Sequence, residues 1–576
     1  MELCYIWVEK FRNIENQNIN LSTEFRFVYN PVSRELSMTK NPTYLPEFFG
    51  KRIANITGII GQNASGKTNL LELMIYLAGE GTTKINGSFL VVIKEPSGEY
   101  HGFYHQMEEP VGGIRFSPYQ NNILDFDTVY ISNVFDGRRH NFGKETKDLS
   151  TNNLINNKFR ENFHTLYNFE IQQQIRFINH PKFATLEDAE KRINNNSVVN
   201  FNPTHIRISS PTWGVLLEKS RKFDAIVLQH ELKAPSLLDT CRWFRRNMVK
   251  KTMTDENALL YFTAFLVYID FLINLVSDEG IKDRQILISQ LNKLLEGLLF
   301  RSSPKMQIED LYAFIVKRFS IDVDKKFAHE FERFRFLFDM DQYRFSNVIR
   351  QEQGKNSSRK VEFLINYNSK IGSFIRDYLE VVYTNTLSYS FEWEGISSGH
   401  KAYISLFSRF HNYYQRRRSK RGTILICMDE GDLYFHPKWQ TEFLYKLVTI
   451  LPEILTDERI QIVLSTHSPF LVSDLPYQNL LFLKKENSGN TVVMANKEAE
   501  KRTFGGNIGE LYEDAFFLDN AIISQFAFEK ISSLVDRVRE TDGKNISEED
   551  LLLIDMIGES LIRNKLKSIV YGENPR

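Results

Sequence analysis

Hydrophobic and polar positions divide the chain into three textures. Residues 1–30 alternate as strands do, in CYIWVEKFRN and again in FRFVYN, and read as a hairpin. Residues 53–60 (IANITGII) form a short apolar run that ends in glycine-rich sequence, and NLLELMIYLA then carries apolar residues at helical spacing. Residues 88–106 read as a hairpin turning at Pro96-Ser97-Gly98, and 126–135 as another buried strand. From about 151 to 385 helical periodicity takes over, with no sustained heptads and no repeat of 20–50 residues; Gly354 to Ser358 reads as an exposed loop there. Strand signals return from 386 in LSYSFEWEG, TILICM, IQIVLST and NLLFLKK, and the chain from about 501 reads as helical.

Strands alternating with helices at both ends predict a largely parallel α/β sheet made from both ends of the chain. The expected organisation is 1–150 and 386–500 as two parts of one nucleotide-binding head, 151–385 as a mostly helical insertion, and 501–576 as a helical tail.

One apolar stretch, Leu259 to Val276, has nearly the length of a membrane span. Thr263, Asp270 and Asn274 interrupt it, and Thr254-Asp255-Glu256 makes a good helix start. It reads as a buried core helix, with a spanning helix as the alternative.

Composition narrows little further. Of 576 residues 42% are apolar and 25% charged, ordinary for a globular protein with room for several domains. The formal net charge is zero, which argues against a globally basic nucleic-acid binder but not against local patches. Three scattered cysteines without CxxC spacing exclude a disulfide framework and a cysteine-rich zinc site. With no visible secretory signal, they predict a cytoplasmic protein without membrane contact.

The chemistry starts in GQNASGKT. Gly61, Gln62, Asn63, Ala64, Ser65, Gly66, Lys67 and Thr68 match G-x-x-x-x-G-K-[ST] between a strand and a helix. Glycines let the backbone N–H groups wrap a phosphate, and the following helix presents its N-terminus to the same anion. Lys67 would reach the β- and γ-phosphates of ATP, and Thr68 would offer a hydroxyl to Mg2+. Ile424 to Glu430 is an apolar strand that ends in two acids. Asp429 would share the Mg2+ with Thr68, and Glu430 would orient or deprotonate the attacking water. A second apolar strand ends in Thr466-His467-Ser468-Pro469, where His467 can bond the γ-phosphate or the water. Gly395 to Lys401 precedes a helix with apolar residues at helical spacing, a second anion-binding N-terminus or an ordinary N-cap.

Together and in this order, these motifs resemble the ATP-binding-cassette ATPase heads of the RecF/SMC/OLD-like branch. Ser397-Ser398-Gly399-His400-Lys401 is similar to the branch's signature sequence, Asp429-Glu430 to its Walker B end, and His467 to its switch histidine. Phe11-Arg12-Asn13 resembles an N-terminal element that places Arg12 near the phosphates. Gly431-Asp432, followed by Leu433 to Pro437, resembles the D-loop. The resemblance covers roughly 1–145 and 386–500. It implies an ABC-type P-loop NTPase head with a mixed sheet, and a Mg-dependent ATPase with room for slow or regulatory turnover. Arg12, Gly61, Asn63 to Thr68, Asn69, Ser397, Gly399 and Asp432 would contact nucleotide, with Thr68 and Asp429 on the metal and Lys67, Glu430 and His467 catalytic. It further implies a homodimer through ATP-bridged heads, with higher oligomers open.

Departures are visible. His400 stands where the branch commonly has Glu or Gln. The Q-loop is unplaced, with Ser132 and Asn133 the best candidates and Gln106 a weaker one. No Toprim-like acid cluster follows His467, which separates the chain from the OLD nucleases. The tail from Thr503 through ELYEDAFFLDNAIISQFAFEKI resembles those of ATPases in bacterial anti-phage systems, the Septu and retron-associated kind. That implies a sensor or regulatory subunit controlling a separate nuclease or toxin effector.

A DNA-maintenance ATPase that binds DNA directly is the alternative. Cys241 to Arg246 with Lys250 and Lys251, and Arg416 to Arg421, would be its basic-aromatic contacts, unless they are solvated faces. A transporter motor is disfavoured by the long insertion.

Overall fold

The computed structural model describes residues 1–79, 84–85, 87–121, 123–158, 163–180, 204–229, 236–248, isolated positions between 255 and 273, 345, 347–381, 388–417, 422–456, 458–494, 502–515 and 524–571. Among them, both ends of the chain build one twelve-stranded mixed sheet. Its centre is β5 (Ile53–Gly61), β10 (Phe126–Ser132), β16 (Thr423–Asp429), β17 (Arg459–Ser465) and β18 (Leu480–Lys485). These run parallel in the order β10-β16-β17-β5-β18. On one side β11 (Thr146–Asp148) adds to β10. On the other follow β19 (Thr491–Val493), β2 (Ile14–Asn20), β1 (Glu2–Phe11), β6 (Phe89–Lys94), β7 (Tyr100–His105) and β9 (Arg115–Pro118).

The central strands read as unbroken apolar runs because both faces are covered. Along β16, Ile424, Ile426 and Met428 enter one buried cluster, while Leu425 and Cys427 enter the other. The second cluster holds the apolar side of the helix Lys67–Ala78, which follows β5 directly. Register then aligns the carboxyl ends of the strands. Asp429 lies opposite Ser132 of β10 and Ser465 of β17, and Ser465 lies opposite Ile59 of β5, two residues before Gly61. Ligands of parallel α/β sheets gather at such an edge.

The first thirty residues pair differently from the expected hairpin. β1 turns through Arg12-Asn13 into β2, an amide-rich strand (IENQNIN) without an apolar signal. FRFVYN instead forms β3 (Phe25–Asn30), which pairs with β4 (Glu35–Lys40) in a separate three-stranded sheet with β8 (Val111–Gly112). The amides of β2 hold the two sheets together. Asn20 exchanges hydrogen bonds with the Phe27 backbone (2.7 and 2.9 Å), and Asn18 accepts from Tyr29 N (2.9 Å). The hairpin turning at Pro96 to Gly98 is present as β6 and β7.

The insertion is less purely helical than its periodicity suggests. β12 (His205–Ser209), β13 (Ile349–Gln353) and β14 (Lys360–Asn366) form an antiparallel sheet with β15 (Ser390–Glu394) in the order β13-β14-β12-β15. The expected boundary at 385 therefore cuts through this sheet. Gly354 to Ser358 is the exposed loop between β13 and β14. The helices Phe163–Ile178 and Ser398–Arg416 pack on the same large cluster as this sheet. Described positions of the apolar 255–273 stretch are helical, and Leu259, Phe262, Leu266 and Ile269 are buried in that cluster. Among the described residues, no helix is long and apolar enough to cross a membrane.

Candidate nucleotide site

β5 ends in the phosphate loop because its backbone has no room for side chains. A Cβ on Gly61 would sit 2.5 Å from Leu483 O, and one on Gly66 would sit 2.4 Å from Thr491 Oγ1. Gly66 also has φ 92°, and Ala64 has φ 60°, left-handed values that glycine adopts without cost and alanine does not. Gly66 is the N-cap of the helix Lys67–Ala78, with no side-chain cap and no acid in the first turn. The helix N-terminus is thus left to an outside anion.

Lys67 is buried and donates to Gly61 O (3.0 Å) and Gln62 O (3.2 Å), so its ammonium lies along the loop. Burial holds its pKa below the usual lysine value, against the pull of Glu430 and Asp429. Ser65 Oγ is fully buried and has no hydrogen-bond partner among the described residues. Such an orphan at the loop is what a phosphate oxygen would satisfy.

Thr68 and Asp429 come from segments 361 residues apart, yet Thr68 Oγ1 donates to Asp429 Oδ2 at 2.8 Å. Ser465 Oγ donates to Asp429 Oδ1 (2.5 Å) and accepts from Glu430 N (3.0 Å). Tyr130 OH reaches Asp429 Oδ2 at 3.3 Å. Glu430 stands at φ 48°, a strained conformation for a side-chain-bearing residue, and Ser465 pins its N–H. Burial first, then Asp429, raises the Glu430 pKa. His467 Nε2 lies 3.6 Å from Glu430 Oε1, beyond a good direct hydrogen bond. Burial, then Lys67, lowers the His467 pKa and favours the neutral imidazole. A hydroxyl and a carboxylate joined at the end of the loop are hard oxygen donors that fit Mg2+. The uncapped helix, Lys67 and the buried Ser65 hydroxyl fit nucleotide phosphates.

The remaining predicted residues are dispersed around this centre. Arg12 (φ 53°) sits in the β1–β2 turn and donates to Asn69 Oδ1 (2.7 Å) and to Glu72 Oε2 (2.5 Å). Asn69 in turn donates to Asn13 Oδ1 (2.6 Å). Asn13 Nδ2 donates to Thr491 Oγ1 (2.8 Å), and Thr491 Oγ1 to Ser65 O (2.8 Å). Arg12 and Asn69 therefore brace the loop from behind. Asn63 is exposed on the loop. Asp432 is buried and accepts from Thr466 Oγ1 at 2.7 Å, away from Lys67. Asn133 Nδ2 donates to Gly431 O (3.2 Å), which keeps the 132–133 segment beside the acids. Gln106 follows β7, near the far edge of the sheet.

Ser397 caps the helix Ser398–Arg416, accepting from His400 N at 3.2 Å. Gly399 packs on the backbone of Tyr434 to His436, where a Cβ would meet Tyr434 O at 3.3 Å. Gly399 thus contacts the segment after Asp432, and among the described residues no hydrogen bond joins Ser397 or Gly399 to the phosphate loop.

Sequence reasoning missed Ser465, Tyr130, Asn13 and Thr491 as parts of the site. Ser465, Tyr130 and Thr491 act through strand register, which no local motif announces, and Asn13 acts from the turn beside Arg12. The proposed DNA contacts fare less well. Arg417 is buried in ion pairs with Glu458 and Asp127 (3.3 Å). Arg242 pairs with Asp239 (3.0 Å), and Arg245 lies over the Trp213 ring. Lys250, Lys251, Arg418 to Arg421 and the tail residues 516–523 lie outside the described residues.

Comparisons with known proteins agree with this geometry over part of the chain. A family described as "AAA domain, putative AbiEii toxin, Type IV TA system" matches residues 282–473. That segment includes Ser397, Asp429, Glu430 and His467 but not the phosphate loop. Septu protein PtuA of Bacillus thuringiensis is 29% identical over 134 residues, 22% of this chain and 32% of that protein. The chain thus spans about a third of the length of the curated relative it matches. A solved structure of the recombination mediator protein RecF with ATPγS in the RecFOR pathway covers 86% of this chain and 98% of its own, at 12% identity and a TM-score of 0.22. At that score the likeness carries no argument. The family model and the Septu protein support the resemblance to AAA/ABC-type ATPases of anti-phage systems, and the fold is an α/β P-loop NTPase head with a mixed sheet.

Proposed function

We propose that this chain binds and hydrolyses ATP with Mg2+, and that it works as a homodimer through ATP-bridged heads. In this reading it is the sensor or regulatory subunit of a bacterial anti-phage complex, controlling a separate nuclease or toxin effector. The observation that carries the ATPase reading is the convergence of Thr68, Asp429, Ser465 and Glu430 at the mouth of an uncapped phosphate loop. The partial likeness to a Septu protein supports the defence role.

The phosphate-loop N–H groups and Lys67 would bind the polyphosphate, and Thr68 and Asp429 would hold the metal. When bound, Mg2+ would neutralise charge developing on the phosphates. Glu430 orients the attacking water and takes its proton, while His467 donates a hydrogen bond at the γ-phosphate. Ser397 and Gly399 of a second head close the site from the other side.

Glu430→Gln tests this reading. It should keep ATP bound, trap a dimer detectable by light scattering, and lower turnover about 10²–10⁴-fold. Unchanged turnover would remove Glu430 from the chemistry.

A further inference from the structure

The last three described helices, Gln525–Glu540, Glu548–Met556 and Ser560–Tyr571, enclose a core of their own. It consists of Leu534, Val538, Ile554, Ile557 and Leu566, each at most 5% exposed. Just beside this core Leu552, Met556 and Leu561 stand 64%, 79% and 79% exposed. A packed helix normally turns such residues inward, and Ile554 and Ile557 show that the inner face is already filled.

The outward positions of the middle helix are 548, 549, 552, 555 and 556, all exposed. Their spacing of one, three and four places them on one stripe. The stripe reads Glu548, Glu549, Leu552, Asp555, Met556. Two large apolar side chains one turn apart are framed by carboxylates, and no Lys or Arg occurs between 548 and 559. The helix is firmly started, with Ser547 accepting from Asp550 N at 3.1 Å. Asp555 is held by Lys567 at 2.5 Å, so the stripe is attached to the third helix as well as to the core.

We propose that this stripe docks a basic amphipathic helix of a partner protein, with Leu552 and Met556 as the apolar contacts and the flanking acids meeting Lys or Arg. Charge decides between occupants. A second copy applied through a two-fold axis would set acid against acid, which costs rather than contributes. An anionic membrane surface is repelled for the same reason. A helix with a basic rim satisfies both the apolar and the charged parts of the stripe. The inference uses none of the nucleotide chemistry and stands or falls apart from it.

The test titrates a fluorescent amphipathic Leu/Lys helical peptide against the full chain and follows anisotropy. Saturable binding that weakens with salt is expected. Leu552→Ser/Met556→Ser and, separately, Glu548→Lys/Glu549→Lys should each weaken it about tenfold or more, with ATP binding and helical circular dichroism unchanged. A control peptide with Glu in place of Lys should not bind. Four results would overturn the proposal: no saturable binding, equal affinity for the variants, equal binding of the Glu peptide, or a wild-type dimer that Leu552→Ser/Met556→Ser converts to monomer. Capture of the chain by neutral phosphatidylcholine vesicles through the same two residues would replace the proposal with a lipid surface.

Discussion

Two helices begin in predicted nucleotide motifs, and their N-termini are finished in opposite ways. The helix after the phosphate loop has Gly66 as its cap, at φ 92°, with no side chain bonding its free N–H groups. The helix Ser398–Arg416 is capped by Ser397, whose hydroxyl accepts from His400 N. The first end is surrounded by Lys67, Thr68, Asp429 and Glu430 of its own chain. The second is closed by its own turn, packs Gly399 on the backbone of 434–436, and sets His400 against the Trp439 ring and Lys401 on Glu392. An uncapped N-terminus needs an anion, whereas a capped one is satisfied and can present its outer face elsewhere. On the function proposed above, one head would supply the phosphate-holding half of a site and carry a separate closing half for another head.

Removing groups from the first end should have the largest effects. Lys67→Ala should abolish turnover and weaken ATP binding outright, read by equilibrium binding of a fluorescent ATP analogue. Glu430→Gln should separate the two, keeping ATP while turnover falls as given above. Ser465→Ala should come next, with metal-dependent nucleotide affinity or turnover reduced about 10–100-fold, because it frees both Asp429 and the strained Glu430 backbone. Ser465→Thr should recover most of the loss, and an alanine variant with wild-type metal dependence would make Ser465 a mere core hydroxyl.

Ser397→Ala sharpens the second end. Loss of the cap alone should cost about 1 kcal/mol of stability in thermal unfolding, and turnover should fall further than that loss explains. Turnover kept at the wild-type level would remove Ser397 from the closed site.

An effect on stability alone, not on turnover, lies deeper on the same helix. His411 is buried, and neither ring nitrogen has a hydrogen-bond partner among the described residues. Burial, with His180 and Arg176 nearby, lowers its pKa from 6.5 to about 4. Because the folded value is depressed, the unfolded chain takes up the proton first as pH falls. Stability is therefore lost from about pH 6.5 down to about 4, by up to roughly 3 kcal/mol. His411→Phe should flatten that part of the stability–pH curve, measured by chemical denaturation.

Local patterning made much of the head legible. The strand–loop–helix unit, the acid-ended strand β16, the strand before His467 and the hairpin at Pro96 all follow from residues within about ten positions of one another. What stayed hidden depends on distant pairing. The amide-rich β2 has no apolar period, because its side chains bond another sheet's backbone instead of packing. β12 meets β14 across about 150 residues, so nothing local marked a sheet in a segment of helical texture. Ser465 sits in an apolar run, and only its register opposite Asp429 reveals its part. Arg12 was legible as a neighbour of the loop, but its grip on Asn69 and Glu72 required the fold.

The central claim, that one complete site needs the first end of one head and the second end of another, is tested most directly by mixing two inactive variants. Lys67→Ala disables the phosphate loop, and Gly399→Asp disables the closing turn. Each alone should turn over little ATP. Mixed in equal amounts, they should recover about a quarter of wild-type turnover, because half of the reassorted dimers carry one intact site of two. Turnover in the mixture that equals only the sum of the two variants measured separately would contradict the account.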